Sequence, residues 1–242
     1  IELHSSSAFS FLQGASLPEA LVERAAALGY PAIALLDADG VYGAPRFHKA
    51  AKQAGLKAII GAELTIDGWR LPVLVSSAEG YQNLCRLVTR MKMRAPKGEG
   101  ALALDELDGF TSGLIALAGR PILEARRHGV GGMLDRLVGL FGRDRLYVEL
   151  QRHLLRDEEC DNEALTELAR AYRVPIVATN GVRFATAGER PLFDVLSCIY
   201  HRTTLDAAGR LVARNAERYL KSPELMAELF ADRPDALAGT IA

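Results

Sequence analysis

The sequence predicts an α/β fold built on a parallel sheet, and three observations carry that prediction. Short apolar runs alternate with longer segments of helical periodicity. Most of the runs are continuous rather than alternating in polarity, as strands buried on both faces are. Several are bounded by Gly or Pro. Strand–helix alternation of this kind gives a parallel sheet, open or closed. Seven strand candidates suit a small or distorted barrel, and 242 residues suffice for one large α/β domain or two small ones.

The strand candidates, in order, are Ile1–His4, Ala32–Asp37, Lys57–Leu64, Leu71–Ser76, Gly113–Leu117, Leu146–Leu150 and Pro175–Thr179. Between the first two, Ser16, Pro18 and Glu19 offer an N-cap, an early helical proline and a reciprocal glutamate. That helix runs through Ala20–Leu28 and stops at Gly29. The next covers Pro45–Ala54 and stops at Gly55. Asp67-Gly68-Trp69 reads as a hairpin-like turn between the third and fourth strands, with Trp69 partly exposed. Later helices cover about Tyr81–Met91, Pro121–Arg127, Met133–Phe141 and Glu158–Tyr172. Arg94–Gly100 is a polar Pro/Gly loop. After Gly188 the alternation ends, and Glu189–Ala242 is expected to be helical with turns, Leu211–Leu220 being a loop or a short strand pair.

Composition excludes little but orders the possibilities. The net charge is −1, with 49% hydrophobic and 24% charged residues, so nothing global marks a nucleic-acid binder. No apolar run reaches the roughly 18–20 residues that a membrane span needs. Cys85, Cys160 and Cys198 are scattered and form no CxxC, which fits a reducing, cytoplasmic location. The chain starts at Ile1 without a signal-peptide pattern and reads as an excised piece, whose partner is then the rest of its own polypeptide.

In parallel α/β folds functional residues collect at the C-terminal ends of strands. Those ends carry His4, Asp37, Glu63 and His153. Imidazoles and carboxylates gathered at one rim are what a Zn²⁺, Mn²⁺ or Fe site uses. A blander reading stands beside it: an Asp after a strand caps the next helix, and a lone His is often only hydrogen-bonded. Ser5, Ser6, Ser7 and Ser10 have no G-x-S-x-G elbow. Gly40, Gly43 and Gly61 do not have dinucleotide-fingerprint spacing. Met91–Arg94 with Lys97 could touch DNA phosphates but reads more simply as a solvated helix end.

The run from His4 to Leu64 resembles the PHP (polymerase and histidinol phosphatase) domain of bacterial family C DNA polymerases, most closely the error-prone branch. The resemblance continues in GYQNLCR (80–86), ELQRH (149–153), PIVATN (175–180), RPLFDVLSCIYHRTTLD (190–206) and NAERYLKSPELMAELF (215–230). It implies a distorted seven-stranded (β/α) barrel of the PHP type over 1–188, with 189–242 as a helical extension toward a polymerase domain. It also implies strand ends able to hold up to three metal ions. Against the family pattern, Ser6 replaces the second histidine of His-x-His, and Ala38 follows Asp37 where a histidine is expected. Gly181-Val182-Arg183 replaces Asp-x-His. Hydroxyl, methyl and hydrogen side chains are poor or absent ligands, and a guanidinium brings positive charge to a cation site. His4, Asp37, Glu63 and His153 are therefore expected to be vestigial ligands, with Arg183 neutralising Asp37 and Glu63.

The resemblance thus implies a catalytically inactive, structural or partner-docking domain of a DNA-directed DNA polymerase for replication or error-prone translesion synthesis. No cofactor is expected in this chain, while Mg²⁺ belongs to the downstream polymerase domain. Partners would be that domain, DNA and accessory proteins, with no membrane. The alternative is a metal-dependent phosphoesterase or 3′–5′ exonuclease holding Zn²⁺ or Mn²⁺ at low occupancy on the residual ligands. A free-standing histidinol phosphatase is disfavoured by the polymerase-like segment 190–230.

Overall fold

The computed structural model describes residues 1–96, 99–124 and 131–241. Lys97 and the second half of the helix expected over Pro121–Arg127 lie outside the described residues. The protein has an α/β fold with a six-stranded sheet in the order β1-β2-β3-β4-β5-β6. The strands are β1 (Ala32–Ala38), β2 (Lys57–Ile66), β3 (Trp69–Val75), β4 (Leu114–Ala118), β5 (Leu146–Gln151) and β6 (Ile176–Thr179). Six of the expected strands are present. The one expected at Ile1–His4 is represented by isolated parallel bridges, Glu2 to Ile33 and Ser5 to Val182.

The sheet is not wholly parallel. β2 pairs antiparallel with β3, and β3 antiparallel with β4, before β4, β5 and β6 run parallel. The reason is local. Asp67 and Gly68 both take positive φ, 48° and 88°, which makes the two-residue turn that reverses a strand onto its neighbour.

Helices α1 (Pro18–Ala27), α2 (Ala44–Ala54), α3 (Ala78–Met93), α4 (Pro121–Glu124), α5 (Gly132–Phe141) and α6 (Glu158–Tyr172) fill the connections. Beyond β6 come α7 (Arg190–Tyr200), α8 (Leu205–Ala208), α9 (Pro223–Leu229) and α10 (Pro234–Ala238). Gly55 ends α2 in the left-handed conformation, as its position predicts. Ser16 is not the cap of α1. Leu17 occupies that place without a side-chain bond. The Ser16 hydroxyl instead donates to Glu189 and accepts from the Ala185 amide, a long-range demand that overrides the local motif.

Packing divides the chain into two compact units, Ile1–Ile60 with Asn180–Leu229, and Gly61–Thr179 with Phe230–Ala242. In the first, Leu21, Val22 and Ala25 of α1, Ile33 and Leu35 of β1, and Phe47 and Ala51 of α2 form one apolar cluster with Val182, Ala185 and Leu220. The segment after β6 is therefore part of this core and not an appendage to it. In the second unit β2 to β6 bury Leu64, Ile66, Leu71, Val73, Leu114, Val148 and Val177, and α10 packs on β6.

Candidate functional site

Within the first unit, backbone pairing brings residues 4–7 beside both β1 and residues 181–183. Leu36 N donates to Ser5 O, while Val182 N donates to His4 O and Ser6 N to Val182 O. Four of the singled-out positions, His4, Ser6, Asp37 and Arg183, are thereby fixed by the same ladder. Asp37 is 1% exposed, and its carboxylate is filled from within the chain. Oδ1 accepts from the Ser7 amide, the Ser7 hydroxyl and the Ser10 hydroxyl, each at 2.9 Å. Oδ2 accepts from the Gly43 amide at 3.2 Å. A Cβ on Gly43 would meet that oxygen at 2.5 Å, so glycine is what lets the backbone come this close.

Ser6 and Arg183, two substituted positions, are joined. Arg183 Nη1 donates to Ser6 Oγ at 2.9 Å, and Ser6 Oγ donates to Leu36 O at 2.9 Å. The guanidinium thus binds the hydroxyl. The Asp37 oxygens are met by hydroxyls and amides, not by Arg183 as expected. Ala38 gives only its amide, which donates to the Ser10 hydroxyl. Gly181 has φ of 52° and accepts at its carbonyl from Arg218. His4 is buried, with its amide on the carboxylate of Glu2. Glu2 is 2% exposed and accepts a second amide, from Asn180, at its other oxygen. Nothing in the sequence distinguished Glu2, since one carboxylate in an apolar run has no spacing signal.

The second unit holds Glu63 and His153. Glu63 is buried on β2, and Arg70 Nη1, diagonally across on β3, lies 3.5 Å from its Oε2. The hairpin register that places Arg70 there was not legible before the turn was known. His153 follows β5, with Nδ1 2.6 Å from Glu158 Oε1. Oε2 of Glu158 accepts the amides of His153 and Leu155. Burial works to raise the Glu158 carboxyl, but the His153 ring and these amides together hold it below its ordinary value. A carboxylate acceptor puts the imidazole proton on Nδ1, the tautomer that a metal-ligating histidine also uses. The same contacts equally serve to start α6, whose first residue is Glu158. Glu149 is a further buried carboxylate on β5, accepting from the Thr179 hydroxyl at 2.6 Å. Among the described residues, no group of three or more His, Cys, Asp or Glu side chains is arranged to hold a metal ion.

Polar side chains held at the carboxyl ends of strands on an α/β sheet place the chain among strand-end-site proteins of the α/β class. Residues 2–153 match the PHP domain family, and the chain belongs to that family. It is 42% identical over 248 residues to an error-prone DNA polymerase of Anaeromyxobacter sp. (strain K), an alignment covering 98% of this chain and 21% of that polymerase. The chain thus spans about a fifth of that relative's length. Among solved structures it is similar to an amidohydrolase from Chromobacterium violaceum, with a TM-score of 0.54 and 16% identity over 75% of this chain and 87% of that one. It is also similar to a candidate metal-dependent phosphoesterase from Bifidobacterium adolescentis, with a TM-score of 0.51 and 13% identity over 74% and 86%. At such identities these two likenesses speak for the fold alone.

Proposed function

We propose that the chain is the N-terminal PHP domain of a bacterial error-prone DNA polymerase, a seven-stranded barrel variant over 1–188 with an extension over 189–242. In this reading it is catalytically inactive and serves to support and dock the polymerase. The observation that carries the reading is the Arg183–Ser6 hydrogen bond. Both positions correspond, by the family resemblance, to metal-binding ones, and here a guanidinium and a hydroxyl satisfy each other. The filled carboxylate of Asp37 supports it further: each bond from Ser7, Ser10 or Gly43 occupies a lone pair that a cation would need.

These residues do not fit a full metal cluster. Ala38 and Gly181 supply no donor side chain, and Arg183 brings charge of the wrong sign. Docking to a larger polypeptide is supported by α7. Its Leu192, Val195, Leu196 and Ile199 recur at helical spacing, and Leu192, Val195 and Ile199 are 49%, 42% and 56% exposed. Its inward side carries Ser197 and Cys198. DNA and accessory proteins are partners of the whole polymerase in this proposal.

A second reading, a metal-dependent exonuclease, is favoured by the His153–Glu158 pair, since that is how a histidine ligand is oriented. One experiment separates the two. Protein purified without chelator and dialysed against Zn²⁺ and Mn²⁺ is analysed for metal and assayed for nucleotide release from single-stranded DNA. The expected result is under about a tenth of an equivalent of metal and no release. A stoichiometric ion lost in His4→Ala or Glu63→Ala would overturn the structural reading and put the exonuclease first.

A further inference from the structure

We propose that a cleft in the first unit, floored by Arg183 and Arg218 and walled by the C-terminal half of α7, binds the phosphate of a nucleotide or nucleic-acid strand. The cleft measures about 390 Å³ and is lined by Leu12, Gln13, Arg183, Phe193, Ser197, Tyr200, His201, Leu211, Val212, Ala213 and Arg218. This site is separate from the question of metal retention and does not depend on how that is answered.

Backbone register puts the two arginines side by side. Phe184 and Tyr219 form a parallel bridge, and one residue earlier Arg183 N donates to Arg218 O at 2.9 Å. Alternation then sends Phe184 into the core, where it is 0% exposed, and its neighbour Arg183 into the cleft. Like charges on adjacent strand positions repel. Their bonds, from Arg183 to Ser6 Oγ and from Arg218 to Gly181 O, go to neutral acceptors. A neutral acceptor fixes a guanidinium plane without cancelling its charge. A shared phosphate would relieve the repulsion and use the fork geometry of both groups.

The rest of the lining agrees with that ligand. The described lining residues include no carboxylate, and Gln13 and His201 add further polar groups. The volume falls in the range of small-molecule sites and exceeds what a bare phosphate needs. Phe193, Tyr200, Leu211 and Val212 supply an apolar and aromatic wall against which a base can lie.

The test is calorimetric titration of the 242-residue chain, in about 50 mM salt, with inorganic phosphate, dAMP and hexathymidylate. Saturable binding of dAMP or hexathymidylate is expected, weakened at least about tenfold in Arg218→Gln. Leu211→Glu places a carboxylate on the exposed rim (Leu211 is 49% exposed) and is expected to abolish binding while leaving thermal unfolding unchanged. Equal binding of dAMP and hexathymidylate assigns a terminal phosphate, and binding of hexathymidylate alone assigns a strand. If Arg218→Gln does not fold, Leu211→Glu decides. The proposal fails if no probe saturates below about 5 mM, if inorganic phosphate binds as tightly as dAMP, or if the folded variants bind like the parent.

Discussion

Asp37 shows how a residue chosen as a metal ligand can be explained by the chain that surrounds it. Its four acceptor bonds hold Ser7, Ser10 and the backbone at Gly43 around the end of β1. Asp37→Asn replaces one oxygen by an NH₂ facing donors only, and strands a buried donor. The expected cost is about 1–3 kcal/mol of unfolding free energy, measured by urea denaturation with chelator present. A residue retained only to bind metal would show no such loss without metal, so unchanged stability would sink the structural account of Asp37. Arg152 offers a case where pH is the probe. It forks onto Glu159 at 2.8 Å and Asp232 at 2.5 Å, with its guanidinium 5.0 Å from the centre of the Phe230 ring. The hydrogen bond from Arg152 lowers the Asp232 carboxyl from 3.8 to about 2. A depressed folded value means that the stabilisation is present above 3.8 and is lost as pH falls toward 2. Because Asp232 is largely exposed, that contribution is at most about 1 kcal/mol. Faster amide exchange in α10 across this interval is the expected sign, and exchange independent of pH beyond the intrinsic rate would contradict it.

At the scale of elements, close backbone approach is what constrains the sequence. Ser77 caps α3 by accepting from the Gly80 amide at 3.1 Å. A Cβ on Gly80 would lie 1.8 Å from the carbonyl oxygen of Gly113, just before β4. The contact is with backbone, so the helix itself has to move. Gly80→Ala is expected to cost about 1–3 kcal/mol or more, read from the melting temperature. A variant as stable as the parent would show that α3 and the start of β4 are less tightly apposed than this. A buried lysine organises the segment before α9. Lys221 is 2% exposed and bonds Asn180 Oδ1 at 3.2 Å and Glu217 at 3.0 Å, while Tyr30 donates to its carbonyl. Asn180 Nδ2 in turn donates to the carbonyls of Glu217 and Tyr219. That network explains why residues 215–221, far along the chain, belong to the same packed unit as β1.

For the whole molecule, the outward aliphatic stripe of α7 sets an expectation about context. Val195→Asp and Ile199→Asp remove apolar groups that are already in solvent here, so the 242-residue chain should keep its stability within about 0.5 kcal/mol. In the full-length polymerase the same substitutions are expected to loosen the junction and raise the rate of limited proteolysis after it. Equal behaviour in both settings would argue that the stripe faces solvent throughout. The contrast is informative because a monomer rarely leaves a contiguous apolar face uncovered.

Periodicity and punctuation made most elements legible: the continuous apolar runs marked β1, β2 and β4 to β6, and Gly55 and Asp67-Gly68 marked their turns. The family was legible too, because motifs spread from His4 to Phe230 occur in a fixed order. Strand ends likewise named the right neighbourhood, since side chains there must be polar wherever the sheet opens to function. What sequence could not supply was partnership. Whether Arg183 turns toward Asp37 or Ser6, whether Glu63 meets Arg70, and which residue answers Ser16 depend on register and on contacts between positions tens to hundreds of residues apart. A side chain's hydrogen-bond capacity is written in its type, but its partner is chosen by the fold. Only the tertiary structure decides that choice.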